Sequence, residues 1–340
     1  MTQGIVITRA LTVSLCVLVG CYALKTFQRN HLWENNLLLW TDCVKKSPEK
    51  ARPHNNLGNA YRDRTHYDLA ITHYQQALTF WPTYSLAHNN LGVVYGLKKM
   101  YTHALKEIEY AIRLDPDFSR AYNNLGNAYK GLGQFDKALE QYLHAIKLNP
   151  YYADIYYNLG NTYAARGNYD QAVEAYLKAL SLEPDSPKVY LNIGNVYCRQ
   201  SLWKKTFSAY QSAVTLKPDY AEAYNNWGAT LNKLERYADA IKVLETATTF
   251  HPSFFEIYSN LGNAYSGLKE YQRSVDYYQQ ALQYNAHSPS LHFHLATTYF
   301  HHLHVKEKAL YHAQKALELN PDDATATTLK KMLSELENQR

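Results

Sequence analysis

Near the middle of the chain stands the stretch Tyr122-Asn123-Asn124-Leu125-Gly126-Asn127-Ala128-Tyr129. Its glycine recurs every 34 residues, at Gly58, Gly92, Gly126, Gly160, Gly194, Gly228 and Gly262. The same interval separates Pro48, Pro82, Pro116, Pro150, Pro184, Pro218 and Pro252. Seven successive copies that agree at several positions indicate internal repeats, and a period of this length is typical of a solenoid.

The third copy shows which positions carry the pattern: Tyr122, Leu125, Gly126, Tyr129, Ala138, Tyr142, Ala145 and Pro150. This pattern resembles the tetratricopeptide repeat (TPR), which forms one helix-turn-helix unit per 34 residues. The resemblance implies an all-α fold: a right-handed superhelical solenoid of about eight repeats, placed behind one hydrophobic N-terminal helix.

The period sets the expected domain boundaries. The repeats are predicted at 51–84, 85–118, 119–152, 153–186, 187–220, 221–254, 255–288 and 289–323. The last one contains an extra residue, since Ala309 comes one place late. Residues 1–32 are expected to form a hydrophobic membrane segment with its flank, and 33–50 a half-repeat helix. Residues 324–340 are predicted to close the open end of the solenoid as a capping helix.

Repeat positions are counted below from the first residue of each repeat. Positions 4, 7, 8 and 11 share one face of the first helix, because a helix has 3.6 residues per turn. Glycine at position 8, together with alanines at positions 20 and 27, is expected to let the second helix approach closely. Most of the 32 tyrosines are interpreted as packing residues whose hydroxyl groups remain in water.

The opposite face of the first helix is lined with asparagine, an indifferent helix former. Position 6 carries Asn56, Asn90, Asn124, Asn158, Asn192, Asn226 and Asn260, and position 9 carries Asn59, Asn127, Asn161, Asn195 and Asn263. In TPR proteins this face lines the concave groove, and the arrangement resembles the asparagine ladder in the TPR region of O-GlcNAc transferase. A carboxamide can pair with one peptide unit whatever its side chain, so these residues are predicted to form a peptide-binding groove. The alternative is that they are structural groups that bond within or between neighbouring helices.

The chain offers little support for other kinds of site. A net charge of +5 and the lack of a long basic run argue against nucleic acid as a partner. No basic residue occupies position 6, so the clamp that binds C-terminal carboxylates in chaperone-associated TPR proteins is missing. The histidines around repeat eight include His294 and His301 on one face, but no carboxylate or cysteine completes a metal site. No metal, cofactor or catalytic residue is predicted.

The N-terminal residues 5–24 are largely apolar and long enough to cross a bilayer. They are consistent with a transmembrane anchor, with a lipoprotein signal that ends at Cys21, or with the last helix of a polytopic protein. The join over residues 5–58 resembles that of multi-pass, TPR-bearing O-mannosyltransferase-like membrane proteins. This resemblance implies a membrane location with the TPR region outside the cytoplasm, in the periplasm or the endoplasmic reticulum lumen.

Three functions remain open at this point. The first is a non-enzymatic, membrane-tethered TPR scaffold that binds proteins or extended peptide segments along the asparagine-lined groove. The second is the substrate-presenting TPR part of a glycosyltransferase-like membrane protein of the O-mannosyl or O-GlcNAc type. The third is a lipidated periplasmic assembly factor.

Overall fold

The computed structural model describes residues 35–338, which form α-helices and no strand. The first helices are α1 (Asn36–Lys46), α2 (Ala51–Arg62), α3 (Tyr67–Phe80), α4 (Ser85–Leu97), α5 (Tyr101–Leu114), α6 (Ser119–Gly131), α7 (Phe135–Leu148), α8 (Ala153–Ala165) and α9 (Tyr169–Leu182). They are followed by α10 (Pro187–Arg199), α11 (Trp203–Leu216), α12 (Ala221–Lys233), α13 (Tyr237–Phe250), α14 (Phe255–Gly267), α15 (Tyr271–Tyr284), α16 (Pro289–Thr298), α17 (Lys306–Glu318) and α18 (Asp323–Asn338).

The chain divides into two compact units, with the boundary between Arg166 and Gly167. In the N-terminal unit α1 packs on α2, and helix hairpins form from α2 with α3, α4 with α5 and α6 with α7. In the C-terminal unit the hairpins are α10 with α11, α12 with α13, α14 with α15 and α16 with α17. The first helix of each repeat is called the A helix below, and the second the B helix.

In the described hairpins before the last one, which has Ala296 at position 8, the position-8 glycine meets a large side chain at position 24. A Cβ atom added to Gly126 would lie 2.6 Å from Cε1 of Tyr142, and one added to Gly194 would lie 2.5 Å from Cε1 of Tyr210. Both rings are buried. The alanines at positions 20 and 27 are buried as well, with Ala138 and Ala145 at 0% exposure. The glycine is therefore needed because a ring occupies the space that its side chain would take.

The turn that follows the first helix of each repeat contains one residue with left-handed backbone. This residue has a positive φ at position 15, and only two of its occupants are glycine, Gly133 (φ 74) and Gly167 (φ 83). The others are Thr65, Lys99, Ser201, Glu235, Lys269 and, one place late in the last repeat, His304. A non-glycine residue with left-handed backbone costs about 1–2 kcal/mol. The packing of the two helices therefore imposes a backbone conformation that these residues do not favour.

Gly133→Ala is expected to lower the free energy of unfolding by about 1–2 kcal/mol because its φ is positive. Gly96→Ala is the matched control. A Cβ atom at either glycine meets nothing within 4 Å, and only Gly133 has a positive φ. Gly96→Ala should be neutral or stabilising by up to about 1 kcal/mol. Urea unfolding curves of the two variants check this, and equal effects would contradict the backbone explanation.

Position 4 links one hairpin to the proline that precedes it. The Tyr156 hydroxyl donates to the Pro150 carbonyl oxygen at 3.2 Å, and the Tyr258 hydroxyl donates to the Pro252 carbonyl oxygen at 2.9 Å. His88 Nε2 lies 3.0 Å from the Pro82 carbonyl oxygen and makes the same link. Both residue types carry a donor at the far end of a ring, which explains why either tyrosine or histidine can occupy this position. The expectation that the tyrosine hydroxyls remain in water is wrong for these residues.

The extra residue of the last repeat is absorbed at the end of α16, not in the turn itself. Residues Tyr299–Leu303 form a π-helical segment, which widens the helix by one residue before His304 turns the chain. After α17, the closing helix α18 buries Leu329, Met332 and Leu336 against the core of the C-terminal unit. Its opposite face is exposed and polar.

The expected membrane location is corrected by the structure. Across residues 35–338 no helix is long and apolar enough to cross a membrane, and the longest of them, Asp323–Asn338, has 16 residues. Such a helix is shorter than the roughly 20 apolar residues that a bilayer requires. The apolar segment 5–24, its predicted hydrophobic helix and Cys21 lie outside the described residues.

Candidate peptide-binding face

The position-6 asparagines of the N-terminal unit connect successive A helices. Each donates from Nδ2 to Oδ1 of the position-5 asparagine one repeat earlier. The bonds are Asn90 to Asn55 at 3.0 Å, Asn124 to Asn89 at 2.9 Å and Asn158 to Asn123 at 3.0 Å. The first member of the row, Asn56, accepts from its neighbour Asn55 at 3.1 Å.

The sequence reasoning did not identify the position-5 asparagines as part of the site. Asn55, Asn89 and Asn123 are 0%, 1% and 4% exposed, so they belong to the interior between the A helices. A buried carboxamide without a partner would cost about 1–3 kcal/mol. The recurring Asn-Asn pair at positions 5 and 6 is the feature of the sequence that could have indicated bonding between repeats.

The C-terminal unit varies the same arrangement. Asn260 donates from Nδ2 to Asn225 Oδ1 at 2.7 Å. Because position 5 of the preceding repeat is Leu191, Asn226 bonds to the position-9 residue Asn195 instead, at 3.0 Å. Asn192 lies half-buried in α10. The substitution at position 5 thus changes the partner while the position-6 carboxamide remains bonded.

Position 9 has a second, internal role within four of the described hairpins. The position-24 tyrosine donates its hydroxyl to Oδ1 of the position-9 asparagine in the same repeat. These pairs are Tyr74 with Asn59 at 2.7 Å, and Tyr142 with Asn127, Tyr210 with Asn195 and Tyr278 with Asn263, each at 2.8 Å. Burial raises the pKa of Tyr278 to about 12, so this hydroxyl remains a donor at physiological pH.

Together the position-6 and position-9 residues of the A helices form what we call the asparagine face of each unit. Its carboxamides are half-buried, apart from Asn90, which is buried. Asn161, at position 9 of α8, is half-buried too. A carboxamide has two N–H hydrogens and an oxygen with two lone pairs. One inter-repeat bond uses one hydrogen of Nδ2, which orients the group and leaves further bonding capacity.

The histidines around the last repeat do not assemble into one site. His294 stacks on Tyr278 with ring centroids 5.3 Å apart, whereas His301 contacts Phe300 and His302. Burial lowers the pKa of His294. Within residues 35–338 no group of three or more histidine, cysteine, aspartate or glutamate residues is placed to hold a metal ion.

Two of these histidines form a buried pair between α16 and α17. His292 Nδ1 lies 2.9 Å from His312 Nδ1, so one ring donates a proton and the other accepts it. The pair is 7% and 8% exposed. Burial, followed by the charges of His292 and Lys308, lowers the pKa of His312 to about 4.

Acid is expected to weaken the last repeat through His312. Its pKa in the folded chain lies below the ordinary value of 6.5. Between these values the unfolded chain binds a proton that the folded chain does not, so stability is lost as pH falls from 6.5 to about 4. His312→Gln, which copies Gln141 at the equivalent position, should reduce that dependence. Denaturant midpoints across this pH range measure it, and an unchanged slope would contradict the assignment.

Two family models match this architecture. One, described as the cilia and flagella-associated protein 70 C-terminal domain, matches residues 117–332, which is more than half of the chain. The other, described as a TPR repeat, matches residues 58–99. The chain belongs to the first of these families. It is a TPR protein, and the predicted repeat type is thereby confirmed. No curated protein matches it in sequence.

Similar solved structures include those of Cut9–Hcn1, YrrB and MamA. The Cut9–Hcn1 hetero-tetramer of the APC/C is 18% identical, with a TM-score of 0.56 and coverage of 85% of this TPR chain and 56% of that one. YrrB, described as a TPR protein with an unusual peptide-binding site, is 24% identical, with a TM-score of 0.41 and coverage of 54% and 95%. MamA is 29% identical, with a TM-score of 0.42 and coverage of 49% of this chain and 97% of that one. The first of these likenesses shows the fold alone, and none of the comparisons links the chain to O-mannosyltransferase-like proteins.

Proposed function

We propose that this TPR chain is a scaffold that binds other proteins by holding extended peptide segments along its asparagine faces. The TPR architecture supports the proposal, because it repeats one polar surface on successive A helices. Neighbouring helices lie about 8–10 Å apart, and an extended chain rises about 3.3 Å per residue. Each position-6 carboxamide would therefore meet roughly every third residue of a bound segment.

One observation carries the proposal: the position-6 carboxamides are oriented before any ligand arrives. Asn124, for example, is fixed by its bond to Asn89 and retains an N–H hydrogen and an oxygen for a peptide unit. Holding a group in its bound orientation reduces the entropy lost on binding. Recognition of this kind reads the peptide backbone, so it tolerates many side chains.

A test of the asparagine face must take these bonds into account. Asn124→Ala alone removes the donor that Oδ1 of buried Asn89 accepts from. That change is expected to destabilise the fold by about 1–3 kcal/mol, whatever the asparagine face binds. The paired variant Asn89→Leu/Asn124→Leu removes both partners of this bond and otherwise loses only the long contact from Asn89 Nδ2 to Asn90 Oδ1 at 3.5 Å, so it should be much closer to neutral for stability. Leucine already occupies position 5 at Leu191.

The experiment begins with a random peptide library displayed on phage, selected against the full chain. Selected peptides are then titrated against the wild type, the paired variant and Gly133→Ala, which lowers stability without touching the asparagine face. We expect only the paired variant to bind more weakly, by about 0.5–1.5 kcal/mol for each hydrogen bond lost. Unchanged affinity of the paired variant, or a library that yields no binder, would refute the proposal.

A further inference from the structure

One repeat of the N-terminal unit departs from the asparagine–tyrosine pairing described above. In repeat two, position 9 is Val93 and position 24 is Ile108. Repeat six also replaces both partners, with Ala229 and Leu244. The two positions thus change together, as expected of a hydrogen-bonded pair in which neither buried partner can be lost alone.

The shorter side chains of repeat two leave space between its A helix and the next. A cavity of about 340 Å³ lies between α4 and α6, with the start of α5 as its floor. Its lining includes Val93, Leu97, Tyr101 and Ile108. Such a volume is at the lower end of the range of about 300–1,000 Å³ that ligand pockets occupy.

This cavity opens on the asparagine face. Asn124 and Asn127 are part of its lining, and Gly96 at its edge has nothing within 4 Å of where a Cβ atom would stand. Leu97 is 51% exposed at the same edge, although it is a large apolar side chain. A ligand that lies along the asparagine face would pass directly over an apolar opening.

One basic side chain lines the cavity. Lys130 is part of its lining and is half-buried, and burial lowers the pKa of its ammonium group. Among residues 35–338 no carboxylate forms an ion pair with it, whereas Arg62, at the same position of repeat one, pairs with Asp63 at 2.8 Å. A partly desolvated ammonium group without a counter-ion favours a ligand that brings a negative charge.

We propose that this cavity receives one apolar side chain of a bound peptide, next to an acidic residue that pairs with Lys130. The inference rests on the proposed function and adds how a bound peptide is aligned with the repeats. The asparagines bind backbone without regard to side chains, and the cavity fixes which residue of the segment lies at repeat two. The partner is thus an extended segment with an aliphatic or aromatic residue beside aspartate or glutamate.

The chain supplies its own pair of matched variants for the test. Val93→Asn/Ile108→Tyr installs the tyrosine–asparagine pair of repeats one, three, five and seven and fills the cavity. Ala229→Asn/Leu244→Tyr makes the same change in repeat six and serves as the control. Leu97→Asp is a second cavity variant on an exposed side chain, in case the first fails to fold, and Lys130→Gln removes the charge.

The full-length variants are each selected against the random phage-displayed peptide library, and the peptides recovered with the wild type are titrated. The wild type and the repeat-six control should enrich an apolar residue beside an acidic one. Both cavity variants should bind those peptides about tenfold or more weakly, and Lys130→Gln should lose the acidic preference. Enrichment of peptides without an apolar residue, or affinities of the cavity variants within twofold of wild type, would overturn the cavity assignment alone. A wild type that selects no peptide would overturn the proposed function with it.

Discussion

Gly126→Leu is expected to lower the free energy of unfolding by roughly 3 kcal/mol or more. The first added atom would lie 2.6 Å from Cε1 of Tyr142 and 2.8 Å from its Cδ1. This ring is fully buried, and its hydroxyl is bonded to Asn127 at 2.8 Å, so it has little room to move aside. The A and B helices of repeat three must therefore separate.

Denaturant unfolding measures the loss, and hydrogen exchange locates it. Protection should fall first in residues 119–152, because each repeat of a solenoid is stabilised mainly by its neighbours. Gly96→Leu is the control, since a Cβ atom there would meet nothing within 4 Å. Equal destabilisation by the two changes would show that the contact with Tyr142 is not the cause.

The repeat architecture could be predicted from the sequence because its evidence is periodic. Gly126, Ala138 and Ala145 recur at fixed spacings, and small residues at those spacings have one physical reason, the close approach of two helices. The face that carries the asparagines followed from the same period. What the period could not supply was the partner of each asparagine, since bonds such as Asn124 to Asn89 join residues one repeat apart on different helices.

Other features could not be predicted from the sequence, because they oppose the local backbone preference of a residue or depend on the volume left between side chains. Lys99 and Glu235 give no hint of a positive φ, which the hairpin geometry imposes on them. The cavity beside Val93 lies where Ile108 replaces the tyrosine of repeats one, three, five and seven, a difference of volume that no motif records. The membrane location is wrong in the sense that no helix within residues 35–338 is long and apolar enough to cross a membrane, and the apolar residues 5–24 on which it rested lie outside the described part of the chain.

Tyr142→Ala is expected to lower the free energy of unfolding by about 3–5 kcal/mol, the cost of truncating a buried aromatic side chain. The loss has two parts, the cavity left by the ring and the hydrogen bond to Asn127. Tyr142→Phe keeps the ring and removes only the hydroxyl group. It should therefore cost about 0.5–1.5 kcal/mol.

A third variant separates the two parts by copying what repeat two already does. Tyr142→Ile/Asn127→Val installs the apolar pair found at Ile108 and Val93, so no polar group is left without its partner. We expect it to be markedly more stable than Tyr142→Ala, because branched aliphatic side chains refill part of the core and the desolvation cost at Asn127 disappears. Urea unfolding of the three variants decides the matter. If the double variant is no more stable than Tyr142→Ala, positions 9 and 24 do not act as a pair. In that case the repeat-two cavity cannot be attributed to the joint replacement of these two residues.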